Sequence, residues 1–135
     1  MNIIPAVSRA VGGRFTDVPA SVSAGLWSCD LATEQLTWSD GVYDLFGAPR
    51  GSRVDRHAAA ARYTPGSRIA LECRRMAAIR DRSGFTLDAE ITVGPTRRWS
   101  RIVAQVECDE GRPMRLFGSK TDVTFEKMAG LLQDP

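Results

Sequence analysis

The sequence predicts an α+β domain, a five-stranded antiparallel sheet with helices packed across one face. Three observations carry this reading. Hydrophobic spacing of period 3.6 runs from Thr64 to about Arg80 and gives way to period 2 from Phe85 onward. The turn strings Gly94-Pro95-Thr96 and Asp109-Glu110-Gly111 divide the C-terminal half into three strand-like runs. A strand–turn–strand pattern also stands before the helical region, so two strands precede the helices and three follow them.

Length and composition set the frame. The chain has 135 residues, 43% hydrophobic and 25% charged, as in an ordinary soluble domain with one core. The formal net charge is only +2, and basic residues are interleaved with acidic ones. That balance argues against a nucleic-acid partner and against an electrostatic hold on a membrane. No apolar run approaches the ~20 residues that span a bilayer. Met1 to Val11 has neither the cationic start nor the apolar core of a signal peptide. The three cysteines, Cys29, Cys73 and Cys108, are odd in number and widely spaced. They point to reduced thiols in a cytoplasm, each in an apolar pattern and expected in the core.

The elements follow in order. Residues 1–21 read as an N-terminal arm in which Ile3 to Val11 forms a short helix at most, before Gly12-Gly13 and Pro19 break the chain. Gly25 to Leu31 and Gln35 to Trp38 read as a hairpin around Ala32-Thr33-Glu34. Ser39 is the expected N-cap of a helix from Asp40 to Phe46, stopped by Gly47 with Pro49 beyond. Residues 50–63, rich in arginine and alanine, have room for one or two short helices. Thr64 and Pro65 mark the next helix start, and Ile69, Cys73, Met76 and Ile79 or Arg80 supply its expected apolar stripe. Arg68, Glu72, Arg74 and Arg75 are expected on its wet face. Phe85, Leu87, Ala89, Ile91 and Val93 alternate with polar residues in the clearest strand of the chain. Arg98 to Cys108 and Pro113 to Asp122 complete a meander. Phe125, Met128, Ala129 and Leu132 then fall on one side of a C-terminal helix.

Read together, these strings resemble the PAS family, and most closely the subgroup whose first strand is Gly-x-Trp-x-x-Asp-like. Here the match is Gly25, Trp27 and Asp30, then Trp38-Ser39, Tyr43, Leu45-Phe46-Gly47, Gly84-Phe85, Arg98-Trp99, Asp109 to Pro113 and Leu116-Phe117-Gly118. Asp122-Val123-Thr124 is similar to the Asp-x-Thr signature that closes many PAS cores. The likeness covers roughly residues 22–127. It departs at Tyr63-Thr64-Pro65-Gly66-Ser67, where relatives carry a His-Pro-Asp-Asp-like start, and in the arginine-rich segment 50–63 that shapes the ligand pocket in PAS domains. The resemblance implies an arm at 1–21, a core at 22–124 and a linker or signalling helix at 125–135. It marks Asp122 and Thr124 as the signalling motif.

His57 is the one histidine, so no triad or multi-histidine metal site can form. It reads as a surface residue, with an axial haem ligand the less favoured alternative that the resemblance allows. Cys73 in Glu72-Cys73-Arg74-Arg75 is only faintly similar to the photoactive string of flavin-binding relatives. Neither haem nor flavin is favoured, and the cofactor stays unassigned. No phosphate-binding glycine string is present. Asp88 and Glu90 share the wet face of their strand and are expected to pair with arginines of a neighbouring one. Arg97, Arg98 and Arg101 read as a sheet-face cluster.

The expected function is a non-enzymatic sensory and interaction domain in bacterial-type, cytoplasmic signal transduction. A small molecule would sit among Trp38, Tyr43, Phe46, Met76, Ile79, Leu87 and Ile91. Ile102-Val103-Ala104 and Phe117 put apolar surface on both sides of the sheet, so a homodimer is expected through the sheet face or the arm. Output would pass through the C-terminal helix to an output domain or partner protein. The alternative is a small enzyme or carrier on a cone-shaped α+β fold with an apolar pocket and one buried carboxylate. A protein-binding domain without ligand is a third reading.

Overall fold

The computed structural model describes residues 23–133. In chain order these form β1 (Ala24–Asp30), β2 (Leu36–Trp38), α1 (Asp40–Phe46), α2 (Arg56–Ala60), α3 (Pro65–Asp81), β3 (Gly84–Val93), β4 (Thr96–Asp109), β5 (Arg112–Asp122) and α4 (Thr124–Gln133). The strands make one five-stranded sheet in the order β2-β1-β5-β4-β3, every pair antiparallel. This is the α+β architecture expected. The expected arm, 1–21, lies outside the described residues.

Period-2 alternation decides which side of the sheet is dry. Leu116, Gly118 and Lys120 of β5 share a face with Ile102 and Ala104 of β4, Ala89 and Ile91 of β3, and Trp27 and Cys29 of β1, and all are buried. Helices α1 to α3 cover that face. Val103 and Phe117 point to the other, where they are half-buried. Gly118 lets two backbones close up, since a Cβ there would lie 1.8 Å from the Val103 carbonyl oxygen.

Local signals account for α1. It ends at Gly47, whose φ of 67° suits glycine. Two arginines serve its last carbonyls: Arg98 Nη1 donates to Leu45 O at 2.7 Å and Arg62 Nη2 to Phe46 O at 2.5 Å. Arg98 is thus a helix cap and not part of a sheet-face cluster. Ser39 holds the N-cap position, but its Oγ accepts from the Leu26 N–H at 2.9 Å instead of from the helix. The hydroxyl ties α1 to β1.

Three expectations are corrected. The stripe Ile69–Cys73–Met76 faces solvent, with Ile69 and Met76 each 65% exposed. The side of α3 against the sheet is Ser67, Leu71, Arg75 and Ala78. Ser67 Oγ accepts from the Glu90 N–H at 2.8 Å, which sets the rotation of the helix, and small Ala78 allows close approach to β3. Glu72 and Arg75, expected on the wet face, are partly buried in ion pairs. Of the cysteines only Cys29 is in the core; Cys73 and Cys108 are exposed, and all three are free thiols.

Candidate functional site

β5 is the central strand, so its inward side chains lie under the helices. Lys120 is one of them and is 6% exposed. Its Nζ donates to Tyr63 Oη at 3.0 Å. Four ring centroids surround the same nitrogen: Phe46 at 5.1 Å, Trp27 at 5.3 Å, Tyr63 at 5.6 Å and Trp38 at 5.8 Å. Aromatic faces attract a cation and offset part of the cost of removing it from water. Burial nevertheless pushes the Lys120 ammonium down to about 7, opposed weakly by Cys29. Burial raises the Tyr63 phenol, so it stays protonated at neutral pH.

Tyr63 is held from its backbone. Residues 62–64 run along the free edge of β3, with Thr64 N–H donating to Glu90 O at 2.9 Å and Thr92 N–H to Arg62 O at 2.8 Å. The phenol is thereby carried over the sheet to Lys120. Trp38 stacks on Phe46 at 4.6 Å, which closes the aromatic cage.

Beside this group lies a cavity of about 60 Å3. Trp27, Leu36, Leu71, Phe85 and Leu116 give it apolar walls, and Cys29, Tyr63 and Lys120 reach it from the core. Arg56, Glu72 and Arg75 complete the lining. Arg56 Nη2 and Glu72 Oε1 meet at 2.5 Å, while Arg56 Nε is buried without a partner. Arg75 is mostly buried and approaches Glu34 only to 3.7 Å. Burial raises the Cys29 thiol, and Arg75 opposes that shift.

The strand that carries Lys120 leads into α4. Asp122 Oδ1 accepts from the Thr124 N–H at 2.9 Å, an N-terminal turn closed by a side chain. Thr124 Oγ1 accepts from the Trp99 N–H at 2.8 Å, and Val123 N–H donates to Trp99 O at 2.8 Å. Arg101 of β4 then bridges Asp88 Oδ1 at 2.8 Å and Glu126 Oε2 at 2.7 Å, and Lys127 Nζ reaches Asp88 Oδ2 at 2.9 Å. The first turn of α4 is therefore pinned to the outer face of β3 and β4. Phe125 and Met128 stay 68% and 50% exposed.

No family model matches the sequence, and no curated protein does. Solved structures do match. A sensory box histidine kinase/response regulator from Burkholderia thailandensis superposes with a TM-score of 0.73 at 22% identity, over 94% of this chain and 91% of that one. The N-terminal domain of a diguanylate cyclase with PAS/PAC sensor from Marinobacter aquaeolei gives 0.70 at 20% identity, over 77% and 98%. The PAS domain of a protein from Colwellia psychrerythraea gives 0.60 at 12% identity, over 88% and 98%. This is a PAS fold.

Within the PAS fold, the residues named from sequence as a pocket are distributed differently from that expectation. Trp38, Tyr43, Phe46 and Ile91 are buried core, Ile79 and Leu87 pack at its margin, and Met76 is on the surface. None of these seven borders the cavity, although Trp38 and Phe46 face Lys120 from behind it. Tyr43 Oη donates to Ser52 O at 2.5 Å. His57 is exposed on α2 and does not reach the cavity. A pocket for a large ligand measures roughly 300–1,000 Å3, so this one is too small for haem or flavin. Asp88 is held at about 2, first by its hydrogen bond from Arg101 and then by Lys127. That is the reverse of the raised carboxylate an acid–base enzyme needs. Sequence reasoning missed Lys120 and Tyr63. The phase of Leu116, Gly118 and Lys120 along β5 was the available signal for the lysine. No helix among the described residues is long and apolar enough to cross a membrane.

Proposed function

We propose that this chain is a non-catalytic sensory domain of cytoplasmic signal transduction, in which occupancy of the inner cavity changes how α4 is held. The observation that carries the reading is the continuity of β5. Leu116 and Lys120 line the cavity, and Asp122, two residues further on, opens the Asp122–Thr124 turn into α4. A ligand that moves Lys120 strains the same strand that anchors the helix, and it shifts the population between pinned and released α4. The descriptions of two similar structures, a sensory box histidine kinase and a diguanylate cyclase sensor, support an output domain or partner beyond α4. The exposed Phe125, Met128 and Leu131 support a homodimer contact or partner contact along that helix.

The test is native mass spectrometry of the purified protein, followed by hydrogen exchange of residues 124–131 before and after removal of any bound small molecule. Slower or faster exchange in α4 on occupancy, with the sheet unchanged, is the expected result. A cavity that retains nothing, and an α4 indifferent to every compound that raises the Tm, would defeat the reading.

A further inference from the structure

The cavity has a charge character that its apolar walls do not explain. Among the described residues, Arg56, Arg75 and Lys120 border it, against one carboxylate, Glu72. Glu72 is engaged by a single Arg56 nitrogen, and among the described residues the buried Arg56 Nε has no acceptor. Buried guanidinium donors in proteins are almost always satisfied, so an orphan on a residue that lines a cavity points to a missing acceptor. Arg75 meets Glu34 only as a 3.7 Å ion pair, outside hydrogen-bond range. An added cation is excluded by the three basic groups. A ligand without an acceptor would leave the guanidinium unsatisfied, and a neutral carbonyl would meet it with a weaker hydrogen bond than a carboxylate.

We infer that the cavity binds a small carboxylate, with the acid on the Arg56 and Arg75 side and its short hydrocarbon part against Trp27, Leu71 and Leu116. The inference rests on the proposed reading that the cavity is the ligand site, and it names the class of ligand. Guanidinium–carboxylate hydrogen bonds are the strong, charge-assisted kind. The size restricts the acid: at about 60 Å3 the space takes only a few water-sized groups, at ~10–15 Å3 each. Two- and three-carbon acids are the matching probes. The groups facing Lys120 around the cavity are Tyr63, Cys29 on β1, Arg56 on α2, and Glu72 and Arg75 on α3. Only Lys120 lies near neutrality among those displaced from their ordinary values. An anion entering this ring favours the ammonium form of Lys120, so binding at pH 8 takes up a proton.

The experiment is titration calorimetry of the full chain with acetate, propionate and pyruvate, against acetamide and propionamide, in buffers of differing ionisation enthalpy. Carboxylates are expected to bind at least tenfold more tightly than the amides. Arg56→Gln should lose that preference. Lys120→Met, which keeps an apolar chain in the cage, should bind without proton uptake. Thermal melts of both variants establish that they are folded. Amides binding as well as acids would overturn the carboxylate assignment and leave the ligand cavity standing. Equal carboxylate affinity in folded Arg56→Gln and wild type would overturn it as well. Binding of neither set would overturn the assignment and count against the cavity as a sensory site.

Discussion

Lys120 Nζ and Tyr63 Oη, 57 residues apart in the chain, share a 3.0 Å hydrogen bond in the core. Each is the other's buried polar partner. Removing one alone strands its mate, whereas removing both leaves an apolar contact. Tyr63→Phe is therefore expected to destabilise the domain by about 1–3 kcal/mol. The double variant Tyr63→Phe, Lys120→Met should recover most of that loss. Chemical denaturation of the two variants and wild type measures the coupling.

The same lysine makes stability depend on pH. Its folded-state value is depressed from 10.5 to about 7, so between those values the unfolded chain binds a proton that the folded chain does not. Stability from this group is then least below pH 7 and rises with pH through the window. The slope approaches ~1.4 kcal/mol per pH unit. Cys29 and Tyr63 are raised from 9.0 and 10.0, and each acts in the opposite direction above its ordinary value. The rise is thus expected between pH 7 and 9 and should flatten beyond. Melting curves of wild type minus Lys120→Met isolate it; a flat difference would show that the cage keeps the ammonium charged throughout.

Asp88 also makes stability rise with pH, but in an acid window. Its carboxyl is lowered from 3.8 to about 2 by Arg101 and Lys127, so its contribution is present above pH 4 and lost as pH falls toward 2. Asp88→Asn is expected to cost about 1 kcal/mol, given partial exposure and screening. It should also speed amide exchange at residues 124–128, because Lys127 loses its anchor on β3.

The joint between sheet and α4 is testable at Thr124. Thr124→Val removes the acceptor of the Trp99 N–H and keeps the side-chain shape. A loss of roughly 1–2 kcal/mol is expected. The effect on exchange should be confined to α4 and the start of β4.

Gly118 is a matter of space. The Cβ of Gly118→Ala would stand 1.8 Å from Val103 O, a backbone atom that cannot move alone. Destabilisation of about 3 kcal/mol or more is expected, beyond the usual range for overpacking. Gly130→Ala, where a Cβ meets nothing, is the matched control.

The order and kind of the elements were legible because they rest on short-range chemistry. Alternation from Phe85 to Val93 makes a half-buried strand whatever lies around it, and Gly47 or Asp109-Glu110-Gly111 stops or turns the chain locally. Asp122 and Thr124 were likewise visible as a string, and in the structure they bond the Thr124 and Trp99 N–H groups. The rotation of α3 was not legible. Ile69–Cys73–Met76 and Leu71–Ala78 are rival apolar sides of one helix, and the choice is made by Ser67 bonding to Glu90, 23 residues away. The cavity was hidden for the same reason. Its lining comes from β1, β2, α2, α3 and all three strands of the meander, and its most telling member is a lysine, a residue type that hydropathy assigns to water.

Sequence alone determined the strands, the helices, their order and hence the α+β class, since each follows from periodicity and turn chemistry within a few residues. Only the tertiary structure decided which faces meet, and so brought Lys120, Tyr63, Arg56 and Arg75 around one space. Burial and long-range hydrogen bonds are properties of the packed chain, and no local pattern encodes them singly.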